Sequence, residues 1–163
     1  MRFDLDTPVA SPSNVAGDSE ETELLDKRNL DRIRKSVVGE ACDLLDRSGA
    51  VTNRNRLFTD LFNREKRTGT AVGEGIAFPH VRTMQVKRFV MAFGRSTEGL
   101  PFRAPDDEPV HLFFAMVSPP YEDRIYLKVY RALASALLHE EHRGELMEAW
   151  SPNEVWRVLE VFR

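Results

Sequence analysis

A chain of 163 residues, 42% of them hydrophobic and 30% charged, is long enough for one domain with a core and short for two. Its small formal net charge of −3 gives no electrostatic reason to expect nucleic acid or a membrane surface as partner. One cysteine, Cys42, excludes an internal disulfide framework, and the apolar run at 112–117 is far below the roughly 20 residues that span a bilayer. We therefore expect a cytoplasmic protein.

The first 21 residues differ in composition from the rest of the chain. They are rich in proline, serine and acidic residues and have no hydrophobic period, which predicts a mobile tail. A short strand at Phe3 to Leu5 has no further support, and the N-terminus lacks the apolar core of a signal peptide. Residues 22–163 are then assigned to a single domain.

Two helices are predicted in the first part of this domain. From Glu23 apolar residues recur at helical spacing, and Ser48-Gly49 ends the first helix. Thr52-Asn53 can cap a second helix, which ends near Thr68. Its buried stripe is predicted to comprise Leu57, Phe58, Leu61 and Phe62. Cations at its C-terminal end are favoured by the helix dipole, and a solvated helix end is the expected role of Lys66 and Arg67.

The remaining elements alternate between strands and helices. Short apolar runs predict strands at 76–78, 88–94 and 110–117, with a short edge segment at 100–102. The last two main strands are apolar throughout, which is typical of strands buried on both faces. Helices are predicted at 122–138, at 145–150, and from the capping box at 151–154 to about residue 162. This order favours an α/β domain whose sheet is covered by helices on both faces.

The stretch that precedes His80 is the most informative part of the sequence. Gly73 and Gly75 permit positive φ or the close approach of another group. Pro79 fixes its own φ and keeps Phe78 extended, so His80 is held on a stiff stalk at the end of a strand. An imidazole that is partly neutral near pH 7, with one nitrogen held by a hydrogen bond, is a good nucleophile at the other nitrogen.

This stretch carries a family resemblance. The segment Gly-x-Gly-Ile-Ala-Phe-Pro-His, preceded by Arg64-Glu65 and Thr70, resembles the active-site segment of type-2 enzyme IIA domains of the phosphoenolpyruvate-dependent phosphotransferase system. These are the fructose/mannitol and nitrogen-related IIA proteins. The resemblance extends from about residue 24 to residue 162, and it implies a mixed sheet of about five strands sandwiched between helices in a single domain.

The resemblance also implies roles for individual residues. In the family, the histidine after the proline accepts a phosphoryl group from the phosphocarrier protein HPr, and the arginine sixteen residues earlier helps to bind it; these are His80 and Arg64 here. Thr70 stands at the family's threonine position and is predicted to donate its hydroxyl to the phosphoryl group. A phosphohistidine is labile, so the protein would act as a relay between proteins, and no cofactor or metal is implied.

Three positions depart from the family pattern. Tyr126 stands where the family carries a second histidine close to the phosphorylated one, and we expect its hydroxyl to lie near the His80 imidazole. Ala71 and Val81 occupy positions at which glycine is usual. These changes leave the accepting residue intact but bear on the rate, the pH response and the phosphodonor.

Other candidate sites are weaker. His139 and His142 lie at i, i+3 and lack the spacing of a zinc-protease motif, so a solvated pair is the expected reading. His111 heads the main strand and is expected to be a hydrogen-bonded structural histidine. Cys42 is expected to be a small packed residue, with a reactive thiol as the alternative.

The functional hypothesis is a stand-alone, enzyme IIA-like phosphocarrier that receives its phosphoryl group from HPr. No IIB or transporter segment is expected in the chain, so the role resembles that of the regulatory, nitrogen-related members more than direct sugar uptake. The downstream partner, a regulatory target or a IIB protein, is not indicated, and neither is the oligomeric state. The alternative is a IIA-like protein-interaction module that is not phosphorylated, with an unrelated metal hydrolase as a distant third.

Overall fold

A five-stranded mixed sheet lies between two layers of helices in the computed structural model, which describes residues 19–160 and their side chains from residue 23 onward. The predicted α/β sandwich is therefore confirmed. In chain order the elements are α1 (Ser19–Asp46), α2 (Arg54–Arg67), β1 (Ala71–Gly73), β2 (Ile76–Ala77), β3 (His80–Arg82), β4 (Val90–Leu100), β5 (Val110–Ser118), α3 (Asp123–Leu137), α4 (Glu140–Glu148) and α5 (Pro152–Glu160).

Strand β5 is the centre of the sheet. It pairs antiparallel with β4 on one side, from Val90 opposite Val117 to Leu100 opposite Val110. On its other side it pairs in parallel first with β2 and then with β3, and β1 completes the sheet as an antiparallel partner of β2. Every residue of β5 except the half-buried His111 is buried, as its continuous apolar sequence predicts.

The alternation of side chains along β5 divides the core into two halves. Phe113, Ala115 and Val117 pack with α1 and α2, whereas the neighbouring positions Phe114 and Met116 pack with α3, α4 and α5. Helix α2 therefore approaches the start of β3 from one face and α3 approaches it from the other. The start of β3 is the place where His80 lies.

The N-terminal boundary of the helical part was predicted too late. Helix α1 begins at Ser19, so residues 19–21, which the sequence assigned to the tail, are helical. Acidic residues directly after Ser19 favour the positive end of the helix dipole, although they add nothing to a hydrophobic period. Residues 1–18, including the strand considered at Phe3 to Leu5, lie outside the described residues, and so do residues 161–163.

Helix α2 begins as predicted and buries a different stripe. The side chain of Asn53 accepts a hydrogen bond of 3.0 Å from the Arg56 backbone N–H, which is the expected N-cap. The buried residues of this helix are Leu57, Leu61 and Glu65, whereas the predicted Phe58 and Phe62 are only half-buried. A charged residue thus occupies the third place of the buried stripe.

Two further boundaries differ from the prediction. Strand β4 runs to Leu100, so the separate edge segment expected at 100–102 is instead the end of a long hairpin with β5. Helix α4 starts at Glu140 rather than at residue 145. Its early start lets Arg143 donate to the Leu137 carbonyl oxygen at 2.8 Å and thereby satisfy the C-terminal end of α3, a tertiary contact that local sequence does not reveal.

Candidate functional site

His80 is the first residue of β3 and is half-buried, less exposed than the predicted stalk. Its ring atom Nδ1 lies 2.8 Å from the carbonyl oxygen of Phe78. A carbonyl oxygen can only accept, so Nδ1 carries the proton and, in the neutral ring, Nε2 keeps its lone pair. The Pro79 carbonyl accepts from the Met116 N–H at 2.8 Å, which fixes the backbone immediately before the histidine.

Arg64 reaches the other ring nitrogen from the last turn of α2. Its Nη2 atom lies 3.0 Å from Nε2 of His80, and its Nη1 atom donates to the Thr68 carbonyl oxygen at 2.7 Å. A guanidinium group has no acceptor, so Nε2 is the accepting atom, in agreement with the proton on Nδ1. Arg64 therefore lies beside the predicted acceptor nitrogen, and its role in phosphate binding stays a prediction.

The surroundings of His80 favour its neutral form. Burial lowers the pKa of the imidazole, and the nearby positive charges of Arg64 and Arg82 lower it further, while the hydrogen bond to Phe78 opposes them in part. Arg82 is exposed and forms an ion pair of 2.9 Å with Asp123 at the start of α3. The sequence analysis missed Arg82, although a residue two places along a strand from His80 lies on the same face.

Tyr126 packs against His80 from α3. The two ring centroids are 5.9 Å apart and the ring planes are inclined by 46°. Burial raises the pKa of the tyrosine, so its hydroxyl stays protonated and is able to donate. Among residues 19–160 that hydroxyl has no hydrogen-bond partner, so it remains available for one. The expected proximity of the two side chains is confirmed, and the donor role of Tyr126 stays a prediction.

The hydroxyl of Thr70, predicted to donate to the phosphoryl group, has a partner inside the molecule. It is buried, and its hydroxyl donates a short hydrogen bond to Oε2 of Glu65. Its backbone N–H donates to Oε1 of the same carboxylate at 3.1 Å. The single proton of the hydroxyl is thus engaged inside the molecule in this arrangement, and donation to a phosphoryl group stays a prediction.

Glu65 and Arg34 form a buried ion pair that the sequence analysis missed. The Glu65 side chain has no exposed surface, and its Oε1 atom lies 3.5 Å from Nε of Arg34. Arg34 also donates from Nη2 to the Phe102 carbonyl oxygen at 3.5 Å. Burial raises the pKa of the Glu65 carboxyl, while the two hydrogen bonds from Thr70 and the charge of Arg34 oppose that rise.

The glycines before His80 form the turn between β1 and β2. Glu74 and Gly75 are the two turn residues, and both have positive φ, at 55° and 72°, as a type I′ hairpin turn requires. Asp106 accepts from the Glu74 N–H at 2.7 Å, and a Cβ atom on Gly73 would come within 3.1 Å of the same carboxylate. The structure therefore uses these glycines for the hairpin and the approach of Asp106.

The other candidate residues have structural contacts. His111 Nδ1 lies 3.0 Å from the Ser96 carbonyl oxygen, as expected for a structural histidine. The rings of His139 and His142 are 5.3 Å apart, and within the described part of the chain no three His, Cys, Asp or Glu side chains are grouped to hold a metal ion. Cys42 is fully buried and burial raises its pKa to about 12, which disfavours a reactive thiol.

His80 is half-buried and lies away from the main groove of the molecule. A groove of about 830 Å³ lies elsewhere, between β4, α3, α5 and the end of α1, and none of the site residues lines it. No helix within residues 19–160 is both long and apolar enough to cross a membrane.

Comparison with known proteins identifies the family. Residues 27–161 match the family model described as phosphoenolpyruvate-dependent sugar phosphotransferase system, EIIA 2. The chain belongs to this family. The resemblance seen in the segment around His80 thus extends over most of the EIIA type-2 chain.

The relatives of this EIIA type-2 protein include sugar-specific and nitrogen-regulatory members. A fructose-specific EIIA component of Haloferax volcanii is 34% identical over 137 residues, which cover 84% of this chain and 89% of that protein. A fructose-specific EIIABC component of Bacillus subtilis is 32% identical over 143 residues, covering 85% of this chain but only 22% of that protein. The crystal structure of nitrogen regulatory protein IIA-Ntr from Neisseria meningitidis superposes with a TM-score of 0.71 at 36% identity, covering 77% of this chain and 85% of that one.

Proposed function

We propose that this EIIA type-2 protein is a phosphocarrier that accepts a phosphoryl group from an HPr-like protein on Nε2 of His80. The observation that carries the proposal is that the two ring nitrogens of His80 have different partners. Nδ1 donates to the Phe78 carbonyl oxygen, and Nε2 faces the guanidinium group of Arg64. A lone pair on Nε2 and a fixed cation beside it are what a nucleophile for phosphoryl transfer requires.

The transfer balances without a separate acid or base. The Nε2 lone pair of His80 attacks phosphorus while the P–N bond of the donor's phosphohistidine breaks, and the electron pair of that bond stays on the donor nitrogen. A proton on the other nitrogen of the donor ring lets it leave as a neutral imidazole. His80 keeps its Nδ1 proton throughout, and the Phe78 carbonyl oxygen stabilises the positive charge that the ring then carries.

Three residues around Nε2 are suited to bind the phosphoryl group or to stabilise its charge. Arg64 offers two N–H groups in the planar arrangement that matches two phosphoryl oxygens, and it can move from Nε2 to those oxygens when phosphorus binds there. Arg82 adds positive charge two residues away on β3. The Tyr126 hydroxyl is the donor available from the α3 side, in the place where the family's second histidine is expected.

A regulatory role is proposed for the phosphorylated protein, as in the nitrogen-related branch of the family. The match to IIA-Ntr from Neisseria meningitidis, at 36% identity, supports this role. The fructose-specific EIIA component of Haloferax volcanii, at 34% identity, supports a sugar-specific role nearly as well. The recipient of the phosphoryl group, a IIB protein or a regulatory target, separates the two, and a cytoplasmic location belongs to the same proposal.

Phosphorylation with purified components tests the proposal. Incubation with phosphoenolpyruvate, enzyme I and HPr should add one phosphoryl group that is labile to acid and stable to base. His80→Ala should abolish the label, and phosphorus NMR of the wild-type protein should place phosphorus on Nε2. His139→Ala, which changes an exposed histidine away from the site, should be labelled like the wild type.

Two outcomes would contradict the proposal. A label that persists in His80→Ala would place the acceptor elsewhere in the chain. A wild-type protein that acquires no label, although the same enzyme I and HPr phosphorylate a known EIIA domain, would favour the alternative of a protein-interaction module that is not phosphorylated.

A further inference from the structure

The buried carboxylate of Glu65 is connected to His80 by hydrogen bonds that are joined through the backbones of Thr70 and Phe78. Glu65 accepts from both the N–H and the hydroxyl of Thr70. The Thr70 carbonyl oxygen accepts from the Phe78 N–H at 2.9 Å. The Phe78 carbonyl oxygen in turn accepts from Nδ1 of His80 at 2.8 Å. Each bond fixes the backbone of the residue that supports the next.

The same turn of α2 also reaches the opposite side of the imidazole. Arg64, the neighbour of Glu65 in the helix, contacts Nε2 directly. One helical turn therefore determines the environment of both ring nitrogens, by a direct contact at Nε2 and through the Thr70 and Phe78 backbone at Nδ1. An error in the position of α2 would disturb both nitrogens at once.

Burying a carboxylate is costly unless its charge is paired and its oxygens accept hydrogen bonds. Arg34 from α1 supplies the opposite charge at 3.5 Å, and it is itself 8% exposed. Both Glu65 oxygens are used, Oε1 by the Thr70 N–H and Arg34, and Oε2 by the Thr70 hydroxyl. Lys66, next to Glu65, pairs with Asp31 at the surface, so the buried pair is not needed merely to join α1 to α2.

We propose that Glu65, held by Arg34, is a positioning residue that fixes the tautomer and orientation of His80 from the interior of the molecule. It does not touch the reacting nitrogen. Thr70 is the link through which it acts, which gives that residue a role different from direct phosphate binding. The consequence for phosphoryl transfer rests on the proposed function, whereas the consequence for the histidine tautomer does not.

Glu65→Gln is the direct test, because it keeps the shape and removes the charge and one acceptor. Nitrogen NMR of histidine-labelled protein should show the wild-type His80 ring in the Nδ1–H form. In Glu65→Gln the ring should be divided between the two tautomers, and phosphate acceptance from HPr should fall by roughly tenfold or more, as when an outer partner that orients a functional histidine is lost. Glu40→Gln is the matched control, since Glu40 is a half-buried glutamate of α1 that contacts Ser36.

A pair of variants at Thr70 decides the question if Glu65→Gln does not fold. Thr70→Val removes the hydroxyl and keeps the shape, and it should shift the tautomer balance in the same direction. Thr70→Ser keeps the hydroxyl and should restore the wild-type ring. An Nδ1–H tautomer that is unchanged in folded Glu65→Gln, or in Thr70→Val when Glu65→Gln is unfolded, would overturn the proposal.

The NMR readout separates this proposal from the proposed function. A wild-type protein that accepts no phosphate but loses its fixed tautomer in Glu65→Gln would contradict the proposed phosphocarrier role and support the positioning role. If the wild type and Glu65→Gln accept phosphate equally well and share the same His80 tautomer, the phosphocarrier role is supported and the positioning role of Glu65 is contradicted.

Discussion

The two sides of His80 are built in different ways. On the α2 side, directional hydrogen bonds reach both ring nitrogens. The fully buried carboxylate of Glu65 holds the Thr70 backbone on this side. On the α3 side, Tyr126 contributes a ring contact at 5.9 Å and, among the described residues, no hydrogen bond to the imidazole. Hydrogen bonds lose strength with small changes of distance and angle, whereas ring packing tolerates several geometries.

This difference fits one of the three expected departures from the family pattern. Tyr126, which is expected to stand in place of the family's second histidine, lies on the α3 side, where the contact is one of shape. The residues that match the family pattern and carry directional bonds, Arg64 and Thr70, lie on the α2 side or on the loop that follows it. A substitution is more easily accommodated where the contact does not depend on one donor and one acceptor.

The largest effect is expected from Arg64→Lys. Lysine keeps the charge but loses the planar pair of N–H groups, so phosphate acceptance should slow by about 3 kcal/mol, or roughly 150-fold, near the upper limit for a hydrogen bond to a charged group. Single-turnover transfer from HPr measures the rate. Arg67→Lys, at an exposed position in the same turn, should leave it unchanged. A rate for Arg64→Lys within a factor of about two of wild type would reduce Arg64 to a helix-end cation.

A smaller effect is expected on the α3 side. Tyr126→Phe removes the hydroxyl and keeps the ring contact, so transfer should slow by about 1.5 kcal/mol, or roughly tenfold, because the donor meets the phosphoryl group only after binding. Tyr126→His should recover the rate and add a second titrating group. If Tyr126→Phe transferred phosphate like the wild type from about pH 5.5 to about pH 8.5, the hydroxyl would have no part in the site.

The pH dependence should be a single step. The lowered pKa of His80 keeps Nε2 unprotonated to lower pH than in an ordinary histidine, whose pKa is about 6.5. Phosphate acceptance should therefore fall to half of its maximum at a pH below about 6.5 and should be complete at higher pH. Tyr126 stays protonated across this range and cannot add a step. NMR titration of the His80 ring gives the midpoint directly, and a midpoint above 6.5 would mean that burial and the two arginines do not govern this residue.

The smallest effect is expected from Arg82→Gln. Arg82 is exposed and paired with Asp123, so water and salt screen its charge. Its removal should raise the pKa of His80 slightly, and added salt should diminish the difference from wild type. An unchanged titration midpoint at low salt would show that Arg64 and burial alone set the pKa.

Part of this site could be predicted from the sequence and part could not. That Arg64 and His80 belong to one site is implied by the family resemblance, and the central strand β5 follows from an apolar run. The burial of Glu65 could not be anticipated in the same way, because a glutamate among basic residues at a helix end has the pattern of a solvated turn. Its partner Arg34 lies on another helix, and only the tertiary structure brings the two together.

The same limit applies to the orientation of Thr70. A threonine beside an active-site histidine suggests a phosphate donor when position alone is considered. Whether its hydroxyl points outward or inward depends on which acceptor lies behind it, and that acceptor is the buried carboxylate. The start of α4 was predicted too late for a related reason. Arg143 in its first turn donates to a carbonyl oxygen at the end of α3, which is a tertiary contact.

The acceptor of the His80 Nδ1 proton is a main-chain oxygen, and this has a consequence for mutational robustness. Every residue type has a backbone carbonyl, so a substitution at position 78 can change the packing of that side chain but cannot delete the acceptor. The restraint on Nδ1 can thus persist through substitutions at position 78 as long as Glu65, Thr70 and Pro79 maintain the backbone path. The restraint on Nε2 depends on one side chain, so a single codon change can remove it. The two nitrogens of one ring are therefore unequal targets for mutation.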